Sequence, residues 1–217
     1  MGVLTLPLCP CSADAVVFAP EGMGAPISDA AAHGRARGPV ARDAENRERD
    51  HFFPTPPHAT LALLNEEKFE GNIWEPAAGD GAMSRVLEAA GYNVLSTDLI
   101  DRGYCPGGRD FLLDYETMAD NIVTNPPFYL AEEFLEHALT RSRRKVALLC
   151  RLAWLEGKER GKTFRARPPA RVWVFSSRVQ MARSGTDVGK GGGGMVPFCW
   201  MVWEAGHVGR PELWWLP

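Results

Sequence analysis

The chain has 217 residues, of which 45% are hydrophobic and 24% charged, and its formal net charge is -3. That length suits one domain with a sizeable core. The negative charge argues against a generally basic protein that coats nucleic acid, and no apolar run approaches the roughly 20 residues that span a membrane. The first residues carry no basic region, so we do not predict a signal peptide. Five scattered cysteines argue against a disulfide framework or a zinc cluster and favour a cytoplasmic location.

Residues 1–48 are rich in Ala, Gly and Pro, and we expect them to form a disordered tail. Residues 49–217 alternate between the hydrophobic patterns of helices and of strands, and we expect them to form the folded domain. Helices are predicted in HATLALLNEEKF, GAMSRVLEAAG and LAEEFLEHALTRS. Strands are predicted in NIWEPA, YNVLSTDL, DFLL, NIVTN, KVALLCRLAWL, ARVWVFSSRV and MVPFCWMVWE, the last two joined by a glycine-rich loop. This order predicts an α/β fold with a mostly parallel, doubly wound sheet and an antiparallel C-terminal edge hairpin.

The stretch WEPAAGDGAM lies between a predicted strand and a predicted helix. Gly79 and Gly81 allow a tight turn and a close approach of the backbone to a ligand. Glu75 and Asp80 bring carboxylates that would repel a pyrophosphate. A ligand that carries an ammonium as well as a carboxylate, such as the amino-acid end of S-adenosylmethionine, fits this turn better. The alternative is a glycine-rich turn that binds nothing.

Acidic side chains follow at two later points. Asp98 ends the second predicted strand about twenty residues after the glycine turn, where Rossmann-like sites place an acid that binds ribose hydroxyls. A helix cap is the alternative for this residue. Asp110 is a candidate acceptor for an adenine amine and Phe111 a candidate to pack on the adenine ring. A solvent-exposed carboxylate and a core aromatic are the alternatives.

The stretch NIVTNPPFYL ends a predicted buried strand in an amide, two prolines and an aromatic ring. Proline fixes the backbone, so the side-chain carbonyl of Asn125 and the backbone carbonyl of Pro126 point the same way. Two acceptors aimed at an exocyclic amine localise its lone pair, which makes the nitrogen a better nucleophile. Phe128 offers a face on which a base can stack. A plain strand-to-helix turn is the alternative.

Basic residues cluster in the second half of the chain. Between Arg141 and Arg178 there are twelve Lys or Arg residues and only two acids. Such a cluster predicts contacts with nucleic-acid phosphates, whereas a solvated face is the alternative. The candidate nucleic-acid residues, which follow the predicted strand KVALLC, are Arg151, Lys158, Arg160, Lys162 and Arg165.

The stretches FFPTPP, EPAAGDGA and NPPF together resemble the amino-DNA methyltransferases, specifically the small phage-type enzymes of the N6-adenine group. The resemblance covers the chain from about residue 50 to its C-terminus. It implies a Rossmann-like class I methyltransferase fold, S-adenosylmethionine as the cofactor and no metal. Few residues follow NPPF beyond those that the sheet needs, so we expect no separate large target-recognition domain.

The resemblance also assigns roles to the matching residues. The methionine end of the cofactor would contact Phe53, Pro54 and Thr55, and its ribose would contact Asp98. The main cradle would consist of Glu75, Ala77, Gly79 and Gly81. The cofactor adenine would contact Asp110 and Phe111. The target base would be held by Asn125, Pro126, Pro127 and Phe128.

The resulting hypothesis is a DNA (adenine-N6) methyltransferase that acts on single-stranded DNA or on a base flipped out of a duplex. NPPF is shared with methyltransferases of RNA bases and of a protein glutamine amide, and both substrates stay open as alternatives. A catalytically silent, methyltransferase-like binding module is a third alternative. The basic cluster favours nucleic acid.

Overall fold

The structure is a computed structural model that describes residues 52–181 and 196–217. The predicted N-terminal tail and the glycine-rich loop lie outside these ranges. The strands are β1 (Ile73–Glu75), β2 (Val94–Ser96), β3 (Ala119–Thr124), β4 (Ser142–Arg151), β5 (Arg171–Phe175), β6 (Phe198–Glu204) and β7 (Glu212–Leu216). The helices are α1 (Pro57–Glu66), α2 (Ala82–Ala89), α3 (Ala131–Arg141) and α4 (Lys158–Ala166), with short 3-10 helices at Phe111–Leu113, Phe128–Leu130 and Leu152–Leu155.

The seven strands form one sheet in the order β2-β1-β3-β4-β6-β5-β7. β2, β1, β3 and β4 are parallel neighbours. β6 runs antiparallel to both β4 and β5, and β7 pairs in parallel with β5. The predicted mostly parallel sheet with antiparallel C-terminal strands is therefore confirmed. β7 was not predicted, and it places the β5–β6 pair one strand inside the edge.

The core lies on both faces of the sheet. α1 and α2 cover one face through Leu63, Met83 and Leu87, which pack with Ala147 and Leu149 of β4. The neighbouring positions of β4 point to the other face, where α3 covers them with its own apolar side chains. The sheet is thus doubly wound, as the alternation of strands and helices predicted. None of the helices in the described ranges is long and apolar enough to cross a membrane.

The predicted strand in DFLL is wrong. Asp110 accepts a hydrogen bond from the backbone N–H of Leu112 at 2.9 Å, and this cap starts a 3-10 helix in place of a strand. Phe111 is buried, but the side chain of Leu113 is 72% exposed. Helix α4 was missed because it has no apolar stripe and buries none of its residues.

The basic cluster does not form one continuous surface. Arg143 and Arg144 pair with Asp120 and Glu70 at 3.9 and 2.5 Å, and Lys145 pairs with Glu67. All of these acids lie outside the cluster in sequence, so a local charge count missed them. The three bases lie at the start of β4, at the opposite end of the strand from Arg151.

Glu67 is the centre of a buried ion-pair network. Its carboxylate is 2% exposed and accepts hydrogen bonds from Lys145 at 2.8 Å, from Trp173 at 3.0 Å and from Arg171. Burial alone would raise the pKa of Glu67, but the hydrogen bonds from Arg171, Lys145 and Trp173 outweigh burial and hold the pKa below its ordinary value. The network ties the segment after α1 to β4 and β5.

We predict that Glu67→Ala lowers the free energy of unfolding at neutral pH by about 1.5–3 kcal/mol, because the partly buried Lys145 loses its acid and the partly buried Arg171 keeps only Glu204. Urea denaturation measures the loss. The exposed neighbour provides the control, since Glu66→Ala should change the free energy by less than about 0.5 kcal/mol. Because the folded pKa of Glu67 is depressed, the difference between Glu67→Ala and wild type should shrink as pH falls through that pKa. Equal stabilities of the two variants would contradict this account.

Candidate active site

The parallel strands end at one edge of the sheet, and a cavity of about 190 Å³ opens there. The strand order reverses between β1 and β3, because β2 lies on one side of this pair and β4 on the other. Open α/β sheets bind ligands at such a reversal, outside the carboxyl ends of the strands. The cavity wall is formed by the segment before α1, the β1–α2 turn, the segment after β2 and the end of β3.

Almost all of the predicted catalytic and cofactor residues line this cavity. They are Phe53, Pro54, Thr55, Glu75, Ala77, Asp98, Asp110, Phe111, Asn125, Pro126, Pro127 and Phe128. Gly79 and Gly81 are not part of its lining. The structure therefore brings together, around one cavity, segments that are distant in sequence.

The two glycines shape the turn behind the cavity wall. Gly79 and Gly81 have φ angles of 59° and 80°, in the left-handed region that favours glycine. A Cβ atom at Gly79 would overlap the ring of Phe52, and one at Gly81 would overlap the ring of Tyr104. Any other residue at either position would therefore have to displace an aromatic ring as well as adopt a strained backbone.

Asp98 fixes the same turn from the end of β2. One carboxylate oxygen accepts from the backbone N–H of Gly79 at 2.7 Å and the other accepts from Ile100 at 2.8 Å. Asp98 is 9% exposed and lines the cavity. Each oxygen has a second lone pair, so the carboxylate can hold the turn and still accept from a ligand hydroxyl.

Glu75 is a buried acid in the cavity wall. It is 2% exposed and accepts a hydrogen bond from the hydroxyl of Ser84. Burial raises the pKa of Glu75 well above its ordinary value, against the hydrogen bond from Ser84, and the charges of Asp98 and Asp80 raise the pKa further. This concentration of acid fits a ligand with a positive charge, such as the ammonium expected for the cofactor's methionine end.

Asp110 and Phe111 serve the fold as well as the cavity wall. Asp110 caps the 3-10 helix that follows it. Phe111 is 2% exposed, and its ring lies 5.0 Å from that of Trp74 and 4.9 Å from that of Phe134, measured between centroids. The alternative considered for Phe111, a core aromatic, is compatible with its position at the cavity, whereas Asp110 is a partly buried cap and not the solvent-exposed carboxylate that was its alternative.

The side-chain amide of Asn125 is held in one orientation. Its Nδ2 donates to the backbone carbonyl of Phe53 at 3.2 Å and to Oγ1 of Thr55 at 3.1 Å. A backbone carbonyl can only accept, so the NH2 group must face Phe53. Oδ1 of Asn125 is buried and has no hydrogen-bond partner within the described ranges. Folded proteins seldom leave a buried polar atom unpaired, and each exception calls for an explanation. Of the five such side-chain atoms in the described ranges, Oδ1 of Asn125 is the one whose residue lines the cavity.

The other residues of NPPF add a second carbonyl, from the backbone, and an aromatic ring to the cavity wall. The carbonyl of Pro127 accepts from the N–H of Leu130 at 2.8 Å, whereas no backbone hydrogen bond of the described residues ends on the carbonyl of Pro126. The ring of Phe128 is stacked on that of Phe53, with centroids 6.2 Å apart. Asn125, Pro126 and Phe128, which carry two carbonyl groups and an aromatic ring, thus all line the cavity.

Sequence reasoning assigned no role to several residues of the wall, among them Phe52 and Arg102, and it missed the hydrogen bond from Asn125 to Thr55. Phe52 and Arg102 line the cavity, and the guanidinium carbon of Arg102 lies 4.2 Å from the Phe52 ring centroid. Arg102 follows Asp98 in a loop without a recognisable pattern. Across residues 52–181 and 196–217, no group of three or more His, Cys, Asp or Glu side chains is placed to hold a metal ion.

The five predicted nucleic-acid residues divide into two groups. Arg151 and Arg160 line a second cavity, which shares Phe128 with the first. Lys158, Lys162 and Arg165 are exposed on α4, where Lys162 pairs with Glu159 at 2.6 Å.

We predict that Glu75→Gln makes the ligand-free protein more stable than wild type at neutral pH. The folded pKa of Glu75 lies above its ordinary value of 4.5, so wild type should lose stability as pH rises from there through the raised pKa. Gln has no proton to lose, so the gain of Glu75→Gln over wild type should grow with pH. Urea denaturation at a series of pH values from 4.5 upwards measures the difference in free energy of unfolding. Glu133→Gln, at an exposed position, is the control. Parallel stability curves for wild type and Glu75→Gln would contradict the assignment.

No protein-family model and no curated protein sequence matches this chain. Among solved structures, the modification subunit assigned to a type I restriction enzyme of Vibrio vulnificus matches with a TM-score of 0.52 and 12% identity, over 80% of this chain and 50% of that one. The chain thus spans half the length of that subunit.

Two further similarities are weaker. Magnesium protoporphyrin IX methyltransferase from Synechocystis, solved with bound S-adenosylmethionine, has a TM-score of 0.45 and 14% identity over 79% of this chain and 87% of its own. The EcoKI M protein has a TM-score of 0.49 and 15% identity over 73% of this chain and 44% of its own. Identities this low bear on the fold alone. The observed strand order and the similarity to the Vibrio vulnificus structure show that the chain has the Rossmann-like fold found in class I methyltransferases.

Proposed function

We propose that the protein transfers a methyl group from S-adenosylmethionine to the exocyclic N6 amine of an adenine in DNA. The observation that carries the proposal is Oδ1 of Asn125, a buried acceptor without a partner in the described residues, on a cavity wall that also contains Glu75 and Asp98. The acids suit a cationic cofactor, and the acceptor suits an amine.

The cofactor half of the cavity is acidic. S-adenosylmethionine supplies the methyl group from its sulfonium and carries an ammonium at its methionine end. Glu75 and Asp80 attract these positive charges, and the ligand charge in turn favours the ionised form of Glu75. Asp98 accepts from the ribose hydroxyls through its remaining lone pairs, while Asp110 and Phe111 form the wall against the adenine.

The target half supplies two acceptors and a ring. Oδ1 of Asn125 and the carbonyl of Pro126 accept the two hydrogens of the target amine. This localises the nitrogen lone pair, which is otherwise delocalised into the base. The prolines hold both oxygens in place before the substrate arrives, so no ordering cost falls on the reaction. The proton leaves after transfer, so a strong general base is not required. Phe128 stacks on the base.

The charge distribution favours a nucleic acid as the substrate, and the resemblance to N6-adenine DNA methyltransferases favours DNA. Arg151 and Arg160 lie next to Phe128, and Lys158 and Arg165 are exposed on α4. A base inside a duplex cannot reach the cavity, so the adenine must be flipped out or single-stranded. The phosphates on either side of such a base would meet these basic residues.

The product of methyl transfer tests the proposal. The protein is incubated with tritiated S-adenosylmethionine and, separately, with adenine-containing DNA, RNA and glutamine-containing peptides, and each product is digested and identified. We expect the label in N6-methyladenine from DNA. Label only in RNA or peptide would overturn the substrate, and cofactor binding without transfer to any of them would indicate a silent binding module.

We predict that Asn125→Ala lowers the rate of methyl transfer by about 10²–10³, because one preorganised polar group is lost from the site. Affinity for S-adenosylmethionine should fall far less than the rate, since Asn125 acts on the target amine and bears on the cofactor only through its hydrogen bonds to Phe53 and Thr55. Single-turnover kinetics and calorimetry separate the two effects. Asn65→Ala, at an exposed position of α1, is the control. Loss of cofactor binding in Asn125→Ala would contradict the role of this residue.

We predict that Thr55 is a positioning residue that acts through Asn125. Thr55→Val keeps the side-chain shape but removes the acceptor from Nδ2 of Asn125, so kcat should fall by about tenfold to a hundredfold. Thr55→Ser keeps the hydroxyl and should retain most of the activity. If Thr55 contributed packing alone, the order of the two variants would be reversed. Steady-state kinetics on adenine-containing DNA gives the comparison.

A further inference from the structure

A second cavity, of about 200 Å³, adjoins the candidate active site and shares the ring of Phe128 with it. A water molecule in the liquid takes roughly 30 Å³, so this cavity has room for a group the size of a phosphate or a sugar. Its wall includes Cys150 and Arg151 at the end of β4, Trp154 in the 3-10 helix that follows, and Arg160 in α4. The proposed reaction uses none of its interior.

The guanidinium of Arg151 is held by Phe128. Its central carbon lies 4.5 Å from the centroid of the Phe128 ring, within the range of a cation–π contact. Arg151 forms no ion pair with any acid of the described residues. One face of the guanidinium is therefore fixed while its N–H groups stay available.

The side chain of Arg160 is held by the backbone of Glu156 and Gly157. Its Nε donates to the backbone carbonyl of Glu156 at 2.6 Å, and a Cβ atom at Gly157 would lie 2.9 Å from its Nη2. Gly157, with φ of 123°, thus lets the guanidinium lie against the backbone. No ion pair within the described ranges occupies the terminal nitrogens of Arg160. Arginine forks of this kind bind phosphate oxygens in pairs.

Trp154 supplies an aromatic wall. Its ring meets Phe164 edge-on, with centroids 5.3 Å apart at 82°, and lies 6.4 Å from the ring of Trp203. These contacts fix the orientation of Trp154, which is only partly buried. An aromatic ring beside two unpaired arginines is the combination with which proteins bind single-stranded nucleic acid.

We infer that this cavity binds the nucleotide that adjoins the target base, with its phosphate between Arg151 and Arg160 and its base or sugar against Trp154. The inference rests on the proposed function, because Phe128 separates the two cavities and would lie between the target base and its neighbour. It makes the flanking nucleotide a determinant of which adenines are bound. An acidic peptide, which the same arginines would attract, is an alternative outcome of the test.

Binding of single-stranded oligodeoxynucleotides with one adenine tests the inference. One oligonucleotide has an uncharged methylphosphonate in place of the phosphate next to the adenine, and a second has it at a distant linkage. Fluorescence anisotropy gives the affinities without catalysis. Hydrogen bonds between charged groups are worth about 1.5–3 kcal/mol, so the adjacent replacement should weaken binding to wild type by about tenfold to a hundredfold. The distant replacement should have a much smaller effect.

Arg151→Gln and Arg160→Gln should each bind the unmodified oligonucleotide about as weakly as wild type binds the oligonucleotide with the adjacent methylphosphonate. In these variants the methylphosphonate should lower the affinity little further, because its binding partner is already gone. Arg144→Gln, whose ion pair with Glu70 lies at the other end of β4, should keep the full sensitivity of wild type. Sensitivity that persists in both Arg151→Gln and Arg160→Gln would overturn the inference. The inference would also be overturned if wild type bound all the oligonucleotides equally, bound none of them, or bound an acidic peptide preferentially.

The methyl-transfer assay on the same oligonucleotides separates this inference from the proposed function. DNA methylation without the expected phosphate sensitivity means that the second cavity has been misassigned while the function stands. Phosphate-sensitive binding without any methyl transfer means that the cavity binds a nucleotide while the proposed activity is wrong.

Discussion

The parallel pairing of β3 with β1 is the constraint on which the candidate site depends. Ile73 lies opposite Asn121 and Trp74 opposite Ile122, so the two strands end at the same edge of the sheet. Glu75 at the end of β1 and Asn125 just after β3 are therefore on the wall of one cavity. β2 continues the pairing on the other side of β1 and delivers Asp98, which pins the glycine turn. The strand order thus places the acidic residues and the Asn125 amide around the same cavity.

The amide of Asn125 joins these two halves. Its NH2 group is bound by the segment before α1, which the resemblance assigned to the cofactor, and this leaves the carbonyl oxygen for the target. The segment thus bears on both substrates: its rings and prolines line the cavity, and Thr55 orients the group that would accept from the amine. Phe128 also lines the second cavity. The proposed binding sites for the base, the cofactor and the flanking nucleotide would therefore adjoin one another.

The strand and the α-helix that the sequence did not predict, β7 and α4, bury few of their side chains. β3 and β4 were found because each contains an uninterrupted run of buried residues, Asn121–Thr124 and Val146–Cys150, whereas β7 exposes four of its five residues and α4 buries none. The motifs placed most of the cavity wall, since EPAAGDGA and NPPF lie at the ends of predicted strands and FFPTPP leads into the first helix. The contact of Thr55 with Asn125 spans 70 positions and exists only in the folded chain. The pairing of Lys145 and Arg171 with Glu67 is long-range in the same way, which is why local charge overstated the basic surface.

The central claim is that Oδ1 of Asn125 accepts a hydrogen bond from the target amine while Nδ2 stays bound to Phe53 and Thr55. A crystal structure of the protein with S-adenosylhomocysteine and an adenine-containing oligodeoxynucleotide measures this directly. The account predicts that the adenine N6 lies at hydrogen-bond distance, roughly 2.7–3.2 Å, from both Oδ1 of Asn125 and the carbonyl oxygen of Pro126, with the base stacked on Phe128. An adenine bound elsewhere, or an Asn125 amide rotated so that Nδ2 faces the base, would contradict it.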